Sequence, residues 1–230
     1  MKKTILTMMV LAVTLAAGAQ QTTIPETPET RRSNAQLTLI PKVGINYSWT
    51  TLNTWAGHSA GIAKPDISGL VGVVVGAEAE YRMQPWLGLS AAVLYSMQGR
   101  KYDDTEVLKQ AATSQVSKEY HHFINIPLTA NFYVVDRLAV RTGLQFGYLF
   151  HQSGTLDTPY DNFPSHSISG QPAKFDISIP VGVSYALQNG LQFDLRYNHG
   201  LNNLSWSDGL RKEKNRVVQF TVGYRFDLLK

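Results

Sequence analysis

Eight segments of this chain alternate apolar and polar side chains with a period of two, and that pattern limits what the chain can fold into. They lie near 37–49, 70–82, 86–99, 120–133, 138–150, 174–186, 191–199 and 216–227. In a strand, successive side chains point to opposite faces, so each segment reads as a strand with one apolar and one polar face. Several reach the roughly 9–11 residues that a tilted strand needs to cross a bilayer, whereas soluble strands hold about five or six.

The connections alternate in length. Those near 82–85, 135–137 and 188–190 are tight, and Asn189-Gly190 is a two-residue hairpin signal because both residues tolerate positive φ. Those near 50–69, 100–119, 151–173 and 200–215 are long. Compact soluble domains rarely use long loops at every second connection, whereas outer-membrane barrels pair short periplasmic turns with long extracellular loops.

One face carries Val43, Ile45, Val71, Val73, Val75, Leu89, Val93, Ile126, Leu128, Leu144, Ile177, Val183, Leu195, Val218 and Val222, with no charged residue in any segment. Rings are placed towards its ends. Trp49, Tyr148, Phe175, Tyr197 and Phe220 are expected near the outer interface, and Tyr81, Phe132, Tyr185, Phe193 and Phe226 near the inner one. A bilayer sorts rings in this way because an amphipathic ring is most stable at headgroup depth. The apolar face is therefore expected to meet lipid. A soluble lipocalin-like barrel is the rival fold, and it would place Leu195 and Val222 inside.

The opposite face carries Lys42, Arg141, Arg196 and Arg225 against Glu78, Glu80, Asp176 and Asp194. An eight-stranded barrel is just wide enough for side chains to fill, and an unpaired buried ion costs several kcal/mol. These eight residues are expected to form an ion-paired lumen with no open channel. Pro127 and Pro180 fall mid-strand on this face, where a missing N–H predicts a bulge or bend.

The N-terminus begins with Lys2 and Lys3, continues through an apolar stretch from Ile5 to Ala16, and offers Ala17-Gly18-Ala19 as a cleavage site. Residues 1–19 read as a secretory signal peptide, 20–36 as a flexible periplasmic leader and 37–230 as the barrel. The formal charge of +4 falls to +2 once Lys2 and Lys3 leave, too little to argue for nucleic acid. The chain has no cysteine, so it has no disulfide framework and no thiolate metal site.

The ordered succession VLYSMQGRK, HHFINIPLTANFYV, GLQFGYLF, FDISIPVGVSYAL, RYNHGLNNL and KNRVVQFTVGYRF resembles the PorT-type outer-membrane β-barrel domain of Gram-negative bacteria. Ile126-Pro127-Leu128 keeps the core of that family's hallmark strand, with Asn125 where Glu is usual. The resemblance spans about 37–227 and implies an eight-stranded antiparallel up-and-down transmembrane barrel. It assigns no active-site residue. The family's named member is tied to protein secretion across the outer membrane.

Candidate chemistry is sparse. His58, His121, His122, His151, His166 and His199 all fall on the long-loop side, with no recognised ligand spacing, so no metal or cofactor is expected. His151, Ser153 and Asp157 share the outer rim, but triads are defined by geometry and no nucleophile elbow occurs. Trp55, Tyr160, Phe163 and Trp206 are the loop rings available for contacts with a partner or for packing over the barrel mouth.

The reading is a monomeric, non-enzymatic outer-membrane barrel. Its partners are outer-membrane lipid and an envelope or secretion protein. A narrow transport or ligand-binding barrel and a rim-sited lipid-modifying enzyme are the alternatives.

Overall fold

The computed structural model describes residues 36–55, 66–103, 116–157, 174–203 and 211–229. The expected signal peptide and the leader up to residue 35, with Tyr160, Phe163, Trp206, His58 and His166, lie outside the described residues, while Gln36 already belongs to a strand.

The described chain is all strand and turn. Its elements are β1 (Gln36–Trp55), β2 (Asp66–Gln84), β3 (Leu87–Asp103), β4 (Val116–Val135), β5 (Leu138–Asp157), β6 (Phe175–Ala186), β7 (Leu191–Gly200), β8 (Arg211–Tyr224) and β9 (Phe226–Leu229). Each pairs antiparallel with the next from β1 to β8, and β1 pairs with both β2 and β8, which closes the sheet. β9 continues β8 after Arg225: Leu39 pairs with Phe226 in the same register as Lys42 with Gly223. The barrel thus has eight staves, with no open edge left to template pairing with other chains.

The alternation sorts side chains as a membrane barrel requires. Outward Val43, Val71, Val93 and Leu195 are 61%, 64%, 58% and 49% exposed, while inward Glu78, Arg141, Asp194 and Arg196 are no more than 2% exposed. No soluble interior leaves four such aliphatic residues uncovered while burying four charges. The lipocalin-like rival is thereby excluded.

Four features differ from expectation. First, the strands run further at the long-connection end, so residues 51–55, 100–103, 116–119, 151–157 and 211–215 belong to strands. Past the belt the outward face no longer has to be apolar, and sequences such as VSKEYHH lose their period-two signature. Trp55 therefore ends β1, paired with Arg211.

Second, neither proline makes a bulge. The β3–β4 register is the same at Ala91↔Leu128 and Leu94↔Asn125, and the β5–β6 register is the same at Thr142↔Val181 and Gln145↔Ser178. A proline forfeits one ladder bond, but that loss does not require an extra residue. The register shifts elsewhere, at Leu37/Thr38, Leu52/Thr54, Gly69/Val74, Arg82/Gln84, His122/Phe123 and Tyr133/Val135.

Third, the β6–β7 connection spans 187–190. The Gly190 N–H donates to the Leu187 carbonyl at 3.2 Å, and Gly190 takes φ 90°, a left-handed conformation that costs a residue with Cβ about 1–2 kcal/mol. Asn189 contributes through its side chain, whose Oδ1 accepts from the Leu191 N–H at 3.2 Å.

Fourth, Phe220 sits mid-belt rather than at the outer interface. It pairs with Ile45 and Leu195, and its ring lies 6.3 Å from that of Phe193. Trp49 and Tyr197, 6.3 Å apart, mark the outer girdle above it.

Candidate functional site

The lumen is organised around Glu78 and Asp194. Glu78 accepts from Lys42 Nζ at 2.8 Å and from Arg141 Nη2 at 2.6 Å, with Arg196 Nη2 at 3.7 Å. Asp194 pairs with Arg141, with Arg196 at 3.3 Å and with Lys42 at 3.8 Å. Five charged groups from β1, β2, β5 and β7 thus meet at the axis, all at least 98% buried at the side chain.

Local sequence explains how they fit. Lys42 is flanked across its two ladders by Gly76 and Gly223, and Gly182 sits between Arg141 and Arg196. A glycine beside each long cation gives it room to cross the lumen. The fit is tight: a Cβ at Gly182 would lie 2.4 Å from the Leu195 carbonyl oxygen and 3.0 Å from Arg196 Cα.

A hydrogen-bond chain extends this centre towards the tight-turn end. Arg141 Nε donates to Asn131 Oδ1 at 2.9 Å, and Asn131 Nδ2 donates to Glu80 at 2.9 Å. Glu80 also accepts from Tyr133 and pairs with Arg225 at 3.4 Å. Arg225 also reaches Asp227 through Thr38, so the connected network holds four cations, Lys42, Arg141, Arg196 and Arg225, and four carboxylates, Glu78, Glu80, Asp194 and Asp227.

Asp176, expected in this network, stands apart. Its carboxylate accepts from Asn215 Nδ2 at 3.1 Å, and no described ion pair includes it. It lies near the start of β6, towards the outer end, opposite Gly147 on β5. The register separates it from the cluster: Gly182, six residues further along β6, is what faces Arg196 and Arg141.

A second charged layer lies at the outer end, where the sequence pattern suggested loops. Arg100 Nε donates to Glu119 at 2.7 Å, Arg100 also pairs with Glu213, and His121 Nε2 lies 3.6 Å from Glu119. Burial opposes ionisation of Glu119, yet the nearby His121, the charge of Arg100 and the Arg100 hydrogen bond hold its carboxyl at about 2, below the usual 4.5. These residues were missed because their strands were cut short. Once β3, β4 and β8 are extended, alternation puts all three inward.

Apolar plugs complete the filling. Ile40, Val74, Leu94, Phe123, Leu149 and Val217 point inward and are at least 93% buried. Beneath the outer mouth, a cavity of about 20 Å³ lies among Gln98, Arg100, His121, Phe123, Glu213 and Asn215. That is room for about one water. On the β5–β8 wall, Gln145 Oε1, Ser178 Oγ, Gln219 Nε2 and both polar atoms of Asn198 find no protein partner. Internal water satisfies buried atoms of this kind.

Among the described side chains, the remaining candidates form two local contacts. His122 and His151 are cross-strand neighbours with rings 5.2 Å apart, and Tyr95 Oη lies 2.8 Å from His122 Nδ1. No described hydrogen bond joins His151 to Ser153. Among the described residues, no group of three metal-ligating side chains occurs.

No curated protein matches the sequence. Similar solved structures include Ail, the attachment invasion locus protein of Yersinia pestis, at 15% identity and TM-score 0.45, covering 83% of this chain and 99% of that one. Neisserial surface protein A has 11% identity and TM-score 0.44, covering 82% and 97%. OprG from Pseudomonas aeruginosa has 12% identity and TM-score 0.36, covering 86% and 99%. The closed barrel, its apolar exterior and its charged interior agree with the family model that matches residues 19–205: the chain belongs to the family described as outer membrane protein beta-barrel domain.

Proposed function

We propose that this protein is a non-enzymatic component of the outer membrane that acts through its surface, as a structural or interaction partner within the envelope. The observation that carries this reading is the charge cluster across the lumen. Lys42, Arg141, Arg196, Glu78 and Asp194 meet at the axis within 3.8 Å of one another's partners, and a solute would have to break these pairs to pass. With the interior occupied, the rims and loops remain as working surface. The PorT-type resemblance favours an envelope or secretion protein as the partner.

Planar-bilayer recording of the purified barrel tests the first part, and no stable conductance steps are expected. Steps of porin size would overturn it and favour the transport alternative. Chemical crosslinking in native envelopes tests the second part. A specific protein neighbour, lost when the long connections are trimmed, is expected; a barrel crosslinked to lipid alone would contradict it.

A further inference from the structure

At one side of the outer rim, basic side chains face outward without a facing acid among the described residues. Alternation on β8 puts Lys214 and Arg216 on the same outward face as Val218 and Phe220. Arg216 is in register with His199 of β7 on one side and Trp49 of β1 on the other, and Lys214 is opposite Thr51. His199 is exposed, and its Nδ1 lies 3.4 Å from Tyr197 Oη.

Arg216 Nη1 donates to the backbone carbonyls of Gly200 at 2.9 Å and Asn215 at 2.8 Å. Both acceptors are neutral and orient the guanidinium; no described carboxylate pairs with it at contact distance, and Asp176 reaches it only as a longer-range charge interaction. The carboxylates nearest in sequence and register, Glu213 and Asp176, point into the lumen, where Arg100 and Asn215 hold them. Among the described side chains, acids at this end face inward while Lys214, Arg216 and His199 face out.

Depth narrows what this patch meets. Trp49 lies beside Arg216, and Tyr47 and Tyr197 lie one step towards the belt, with ring centroids 6.3 Å and 5.7 Å apart in the pairs Trp49–Tyr197 and Tyr47–Trp49. Such rings settle at the headgroup boundary, so the basic groups one step outward sit at the level of lipid phosphates. An arginine fork beside a lysine suits a phosphate, the fork giving geometry and the lysine point charge. Like charges set side by side without counter-ions repel, and an anion relieves that repulsion.

We infer that His199, Lys214 and Arg216, beside Trp49 and above Tyr47 and Tyr197, bind the phosphate of an anionic lipid in the outer leaflet. The inference rests on the membrane barrel and is independent of the proposed protein partner.

The test uses the full barrel in nanodiscs of phosphatidylcholine with a minor fraction of phosphatidic acid. Lipids co-purifying after gentle delipidation are measured by mass spectrometry. Enrichment of phosphatidic acid is expected, falling about 30-fold in Lys214→Gln/Arg216→Gln, the scale of two basic groups beside an anionic surface. The swap Lys214→Arg/Arg216→Lys keeps the charges and should keep the enrichment; heat-modifiable mobility confirms that each variant is folded. Arg82→Gln, at the other rim, should leave enrichment unchanged. Equal enrichment in wild type and the double Gln variant would overturn the site. If inorganic phosphate at matched concentration displaces the lipid fully, the patch is a free-anion site and the lipid assignment fails.

Discussion

Glu78→Gln is the sharpest perturbation of the lumen. Glu78 is 2% exposed and touches Lys42 at 2.8 Å, Arg141 at 2.6 Å and Arg196 at 3.7 Å. At an effective dielectric of about 20, each of the two short contacts is worth about 6 kcal/mol of gross attraction. Desolvating the carboxylate offsets several kcal/mol of that, so the pairs contribute far less than their sum. The variant keeps the shape and removes the charge, leaving three buried cations to Asp194 alone. Breaking a buried pair from one side costs about 3–5 kcal/mol, and that is the expected loss of unfolding free energy.

The assay is reversible urea unfolding in lipid vesicles, followed by the fluorescence of the four tryptophans. Adding Lys42→Met removes the cation that Glu78 neutralised. The double variant should then lose about 1–3 kcal/mol less than the sum of the single losses. A Glu78→Gln loss below about 0.5 kcal/mol, or strict additivity, would refute an energetically coupled network; such values belong to surface substitutions.

Further outcomes follow from individual sites. Gly182→Ala forces a Cβ against the Leu195 carbonyl and Arg196 Cα, and should cost about 1–3 kcal/mol in the same assay. Gly190→Ala leaves the lumen intact and should cost about 1–2 kcal/mol through its φ of 90°. Glu119, held at about 2 against an ordinary 4.5, contributes stability that is fully present above about pH 4.5 and lost as pH falls towards 2. Glu119→Gln should flatten that part of the stability–pH curve, and an unchanged slope would contradict the Arg100 and His121 contacts.

How much of this was legible in the sequence depends on where the binary pattern held. Within the belt, each outward position has to be apolar, and most inward positions of segments such as LQFDLRYNHG are polar, so strands and faces could be read directly. Outside the belt that requirement lapses. KYD, VSKEY and RKEKNR then look like loop, which hid the Arg100–Glu119–Glu213 layer.

Runs such as VGVVVG are apolar on both faces, so inward Val74 could not be told from outward Val73 and Val75. Residue identity showed that Lys42, Glu78, Arg141, Asp194 and Arg196 point inward. It could not show which of them meet, because that depends on strand stagger around the closed barrel. The same stagger removed Asp176 from the cluster despite its matching parity. Proline was misread for a different reason: a missing donor interrupts a ladder without shifting it.

The central claim is that lipid, not protein, solvates the apolar face. Intermolecular contacts between acyl chains and side-chain methyls, measured by NMR on the unmodified barrel in nanodiscs, test it directly because the same residue types occupy both faces. Val43, Ile45, Val71, Val93 and Leu195, each at least 49% exposed, should show acyl-chain contacts; Ile40, Val74, Leu94 and Val217, each no more than 2% exposed, should show none. Contacts from the second set and silence from the first would contradict the account.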